Sequence, residues 1–137
     1  MDEHRSTQQH QRILVVDDSE DMRDLLQRLL ERAGYRVFVA EDGQTSLTQA
    51  KLHHPDLVLM DLSLPDMDGW EAVAHLRKMP EFGTIPIIAV TAHVSAREEA
   101  RAMAAGCTAH IGKPFDTRAL LQEVARLLTS RSILHGT

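Results

Sequence analysis

Five residues of this 137-residue chain are of types suited to phosphorus chemistry: Asp17, Asp18, Asp61, Thr91 and Lys113. Asp17 and Asp18 follow "ILVV", Asp61 follows "LVLM", Thr91 follows "IIAV", and Lys113 comes directly after "AHIG". A carboxylate at the end of an apolar run is costly unless something compensates it. Three carboxylates drawn together repel, and a bound cation is the natural compensation. Oxygen ligands without His or Cys favour a hard ion, and Mg²⁺ suits a site that keeps several waters. A carboxylate beside such an ion can act as a nucleophile toward phosphorus. Lys113 would then neutralise one phosphoryl oxygen while the Thr91 hydroxyl donates a hydrogen bond to another. The expected product is an aspartyl phosphate. Each residue also has a plainer reading: Asp17, Asp18 or Ser19 as a helix cap, Thr91 as a loop residue, Lys113 as a solvated charge. A cap accounts for at most one acid of the pair, and it leaves Asp61 unexplained.

These groups meet only if the chain places them on one rim. "RILVV" (12–16) reads as a buried β-branched strand. The helix after it has Ser19 as N-cap and Gly34 as its stop, with Met22, Leu25, Leu26, Leu29 and Leu30 as its apolar face. The alternation then repeats: strand 35–40, helix 43–54 stopped before Pro55, strand 56–60, helix 69–79, strand 86–90, helix 95–106, strand 109–111 and helix 116–130. Five strands alternating with five helices predict an α/β fold, a parallel sheet with helices on both faces. In such a sheet functional groups gather at the carboxyl ends of the strands. All five chemical residues lie there.

Composition agrees with one domain of ordinary size: 43% hydrophobic residues, 4% aromatic, and a formal net charge of −5. Residues 1–11, "MDEHRSTQQHQ", read as a disordered polar leader, 12–130 as the domain and 131–137 as a C-terminal tail. Mild acidity without a basic stripe argues against nucleic acid, and no apolar run approaches a membrane span. The lone Cys107 cannot form an internal disulfide, which fits a reducing cytoplasm, and its alanine-rich surroundings suggest a packed thiol.

The ordered pattern "VVDDS", "LVLMDLSLPDMDG", "AVTA" and "GKPF" resembles the receiver domain of two-component response regulators, over roughly residues 12 to 130. The resemblance implies a flavodoxin-like three-layer sandwich with strand order 2-1-3-4-5. It implies Asp61 as phosphoacceptor, and Asp17, Asp18, Asp61 and the Ser63 backbone carbonyl as the protein's Mg²⁺ ligands. Thr91 matches the switch hydroxyl, Lys113 the family's lysine, and the Lys113–Pro114 peptide is expected to be cis. The implied donor is a phosphohistidine on a histidine kinase or a histidine phosphotransfer protein, followed by slow hydrolysis. The output would be contact with a downstream protein through the fourth helix, fifth strand and fifth helix, by a monomer or weak homodimer. Apart from its own phosphorylation and dephosphorylation, the chain is expected to be no enzyme.

Three positions depart from the family or tune it. His110 stands where the family usually carries Tyr or Phe, and the expectation is that its imidazole acts as the rotameric switch. Ser63 and His93 flank the phosphoryl site and are expected to modulate the lifetime of the signal. Other residues read as structural: His53-His54 as a solvated helix end, Trp70 as packing beside inward-facing Val73, Ala74 and Leu76, and "REEAR" (97–101) as a solvated face. The chain is expected to be a stand-alone receiver, with a module excised from a hybrid kinase or a longer regulator as the alternative. A Mg²⁺-dependent phosphatase of the haloacid dehalogenase type would need an acid where Ser63 stands. A flavin binder would need a phosphate-cradling loop in place of acids.

Overall fold

The computed structural model describes residues 11–62, 64, 69–92 and 95–136. Five strands, β1 (Arg12–Val16), β2 (Arg36–Ala40), β3 (Leu57–Asp61), β4 (Ile87–Thr91) and β5 (Ala109–Gly112), form one parallel sheet in the order β2-β1-β3-β4-β5. The helices are α1 (Glu20–Arg32), α2 (Gly43–His53), α3 (Gly69–Lys78), α4 (Ala96–Ala105) and α5 (Thr117–Gly136), with a short 3₁₀ turn at Pro80–Phe82. The order reverses between β1 and β3, the point at which α/β sheets of this kind hold their ligands.

The aliphatic strands alternate between two apolar layers. Leu14, Val16, Val58, Met60, Ile87 and Ala89 face Ala50, Ala72, Val73, Leu76 and Ala102 from α2, α3 and α4. Ile13, Val15, Leu57, Leu59, Ile88 and Val90 face Leu26 and Leu30 of α1 and Leu120, Val124, Leu127 and Leu128 of α5. Every residue of β3 is buried, as a central strand covered on both faces must be. Truncating a core residue such as Met60 to alanine costs about 2–5 kcal/mol.

Local signals define the helix ends. The Ser19, Asp42 and Ser95 side chains accept from the amides of Met22, Thr45 and Glu98, capping α1, α2 and α4. Gly106 closes α4 at φ 117°, a left-handed conformation that suits glycine. It lies against Arg77, whose half-buried guanidinium donates to the carbonyls of Gly106 (2.9 Å), Phe82 (2.9 Å) and Ile85 (2.7 Å). Arg77 thereby ties α3, the 3₁₀ turn and the α4–β5 connection together.

Several expectations change, while the packing expected of Trp70 and Cys107 is borne out. The last helix continues past Ser130 to Gly136, since no proline or glycine interrupts it before that point. On α1 the stripe is wider than the sheet can cover: Leu26 and Leu30 are buried, whereas Leu25 is 44% exposed. On α3 it is Ala72, with Val73 and Leu76, that is buried, and Ala74 is only half-buried. His53 is not simply solvated; its ring stacks on Phe38 at 3.9 Å and its carbonyl accepts from Arg12 Nη1. Trp70 packs against the core and carries the Arg101 guanidinium 4.6 Å from its ring centroid. Cys107 is buried, and that burial pushes its thiol up to about 11 against the opposing charge of Arg77.

Candidate functional site

Each chemical side chain is delivered by the end of a strand. Asp17 directly follows β1, and its amide continues the sheet by donating to the Ala40 carbonyl at 3.1 Å. Asp61 is the last residue of β3, paired in register with Val90, and Thr91 is the last residue of β4, opposite Gly112. Both ladders run one residue beyond the apolar runs, so Asp61 and Thr91 are part of the sheet rather than of the loops after it. Lys113 follows β5, with its amide donating to the Thr91 carbonyl at 2.7 Å and a cis peptide to Pro114.

The three aspartates converge: one carboxylate oxygen from each of Asp17, Asp18 and Asp61 lies within 4.8 Å of the others. Asp17, Asp61 and Thr91 are buried, whereas Asp18 is exposed. Lys113 Nζ reaches both buried acids, at 2.9 Å from Asp17 Oδ2 and 3.5 Å from Asp61 Oδ2. Burial by itself would pull the Lys113 pKa down. The hydrogen bond that the ammonium donates to Asp17 and the charges of Asp61 and Asp17 outweigh it and hold the ammonium above its usual range. Three carboxylates facing one ammonium still favour a cation. The donor set, oxygen alone with one exposed acid open to water, fits a hard divalent ion such as Mg²⁺.

Gly69 limits the space behind Asp61. A Cβ there would lie 2.5 Å from the Asp61 carbonyl oxygen and 2.6 Å from Leu62 Cα, so α3 begins as close to the end of β3 as backbone allows. His110 sits on β5 beside Ala89, with its Nε2 buried and without a hydrogen-bond partner among the described residues. Ser63 and His93 lie outside the described residues. Asp17, Asp18, Asp61, Thr91 and Lys113 thus share the rim, and His110 lies lower on the neighbouring strand.

The family model of the response regulator receiver domain matches residues 13–125, most of the chain. This chain belongs to that family. The receiver is therefore a phosphoacceptor module of two-component signalling. It is 35% identical over 116 residues to the polar-differentiation response regulator DivK of Brucella ovis, covering 85% of this chain and 94% of DivK. The chemotaxis protein CheY4 of Vibrio cholerae superposes with a TM-score of 0.83 at 31% identity, covering 86% of the receiver and 98% of CheY4. The receiver domain of the sensor histidine kinase PA1611 from Pseudomonas aeruginosa superposes at 0.81 with 30% identity, over 88% of this chain and 98% of that one. That structure has a magnesium ion coordinated in its active-site cleft. No helix among the described residues is long and apolar enough to cross a membrane.

Two contributors were not legible in the sequence. Arg23 Nη1 donates to the Asp17 carbonyl at 2.8 Å, and the Ser19 amide donates to Asp17 Oδ1 at 2.9 Å. Both bonds involve backbone atoms, which have no letter of their own in a sequence. The only hint for Arg23 was a cation in the first turn of α1, where acids are favoured.

Proposed function

We propose that Asp61 is the phosphoacceptor, taking its phosphoryl group from a phosphohistidine on a histidine kinase or phosphotransfer protein. The observation that carries this reading is the meeting of Asp17, Asp18 and Asp61 within 4.8 Å, with Lys113 Nζ 3.5 Å from Asp61 Oδ2. An Asp61 carboxylate oxygen attacks phosphorus and forms the acyl phosphate bond. The bond from phosphorus to the donor imidazole nitrogen breaks, its electron pair stays on that nitrogen, and the nitrogen takes up a proton. Lys113 and the Thr91 hydroxyl hold the transferred oxygens. Asp17, Asp18, Asp61 and the Ser63 carbonyl would hold Mg²⁺, which would neutralise charge on the attacking and transferred groups. Hydrolysis by water at phosphorus returns the carboxylate and releases inorganic phosphate, and Ser63 and His93 set its rate by admitting or blocking that water. The receiver catalyses this cycle on itself and has no other substrate.

His110 is the rotameric switch on this reading. Its buried Nε2 lacks a polar partner among the described residues, which supports a ring held by packing alone. An unchanged His110 rotamer in the phosphorylated structure would sink the assignment. Output passes through the face of α4, β5 and α5 to a downstream protein. On this reading the receiver, residues 12–130, works in the cytoplasm as a monomer or weak homodimer, without nucleic acid or membrane. The decisive test is incubation with Mg²⁺ and acetyl phosphate followed by intact mass. Wild type is expected to gain one phosphoryl group and Asp61→Asn none; no adduct on wild type refutes the reading.

A further inference from the structure

Asp17 is held at every polar atom. Its amide donates to the Ala40 carbonyl, its Oδ1 accepts from the Ser19 amide, its Oδ2 accepts from Lys113 Nζ, and its carbonyl accepts from Arg23 Nη1 at 2.8 Å. The first three bonds orient the end of β1 and the Asp17 side chain. The fourth acts on the peptide between Asp17 and Asp18. That unit is planar, so fixing its carbonyl also fixes the nitrogen and Cα of Asp18. Asp18 needs this help: it is exposed, and its carboxylate has no hydrogen-bond partner among the described residues. Its place in the cluster is set through its backbone.

We propose that Arg23 is a positioning residue for the acidic pair, holding the Asp17–Asp18 peptide so that both carboxylates are aimed at one divalent cation. This rests on the Mg²⁺ reading above. Arg23 is half-buried on α1, and its own amide donates to the Ser19 carbonyl at 2.9 Å. The side chain therefore closes a loop from the helix back onto the strand end that precedes it. A planar, permanently charged guanidinium gives a short, well-directed bond to a carbonyl. Its charge alone would repel a cation at the same site. Positioning and repulsion thus predict opposite signs when the residue is removed, and this makes the proposal decidable.

The test is Mg²⁺ titration by calorimetry on the full chain, with wild type, Arg23→Met, Arg23→Lys and Asp18→Asn compared well below their melting temperatures. Loss of a group that orients metal ligands typically weakens affinity about 10–100-fold, and Arg23→Met is expected at the lower end, about tenfold. Arg23→Lys, which keeps a charged donor, is expected to recover most of the affinity. In the metal-free protein, the Asp18 and Ser19 amides of Arg23→Met are expected to exchange hydrogen faster than in wild type. Unchanged or tighter Mg²⁺ binding in Arg23→Met, with wild type binding normally, overturns the proposal and leaves the metal reading intact. Wild type that binds no Mg²⁺, or Asp18→Asn that binds as wild type does, overturns the metal reading and this proposal with it. Should Arg23→Met fail to fold, Arg23→Gln gives the same comparison.

Discussion

Lys113 Nζ stands between two buried strand-end carboxylates, 2.9 Å from Asp17 Oδ2 and 3.5 Å from Asp61 Oδ2. It is the ammonium that β5 contributes to a rim supplied with acid by β1 and β3. Replacing it with methionine leaves the carboxylates facing one another. Removing one partner of a buried pair typically costs about 3–5 kcal/mol, and about 3 kcal/mol is expected here because the side chain keeps some exposure. Urea unfolding with and without Mg²⁺ checks this: added Mg²⁺ should stabilise Lys113→Met more than wild type. The pH dependence has a definite sign. The folded pKa lies above the ordinary 10.5, so this stabilisation is complete below that pH and is lost as pH rises through the folded value.

Gly69→Ala should disturb the end of β3 at Asp61 without touching a charged group. The added Cβ would meet the Asp61 carbonyl and Leu62 Cα, both backbone atoms that cannot swing aside. A cost of about 1–3 kcal/mol follows from forced overpacking, together with slower phosphorylation by acetyl phosphate. Wild-type stability and rate in the variant would show that the start of α3 shifts freely.

Arg77 holds three carbonyls at the opposite end of the molecule. At about 1 kcal/mol for each lost bond, Arg77→Met should lose about 3 kcal/mol in chemical denaturation. Arg77→Lys should recover little, because one ammonium cannot reproduce the guanidinium fork.

Cys107 should be inert at neutral pH. With its thiol pushed up to about 11 by burial, it stays protonated in the fold long after an unfolded thiol, near 9.0, has ionised. Alkylation at pH 8 should be slow in native protein and fast in denaturant. The sign for stability follows: the contribution is intact below about 9 and declines as pH climbs toward 11. Rapid native-state alkylation would contradict the buried placement.

Much of this architecture was legible because apolar runs and their breakers mark strands and helices directly. "LVLM" and "IIAV" located β3 and β4, yet each strand reached one residue further, to Asp61 and Thr91. Apolar patterning ends with the last apolar side chain, whereas the hydrogen-bond ladder ends with the last paired backbone group. Leu25 misled for a related reason: helical spacing says which residues share a stripe, not how much of the stripe the sheet can cover. The stacking of His53 on Phe38 and the carbonyl bonds of Arg23 and Arg77 depend on tertiary neighbours and unlettered backbone atoms.

The helices differ in how much core they own. Gly69, Ala72, Val73 and Leu76 of α3 are buried, while Ala102 is the one buried residue among those described on α4. Beyond that, α4 is attached near its C-terminal end by the Arg77 bond to Gly106 and along its length by the stacking of Arg101 on Trp70. Sliding such a helix forfeits little hydrophobic free energy, because only small side chains leave their seats. In the currency of local opening, α4 should be the shallow well of the molecule, its amides exchanging by small excursions while those of α3 wait for global unfolding.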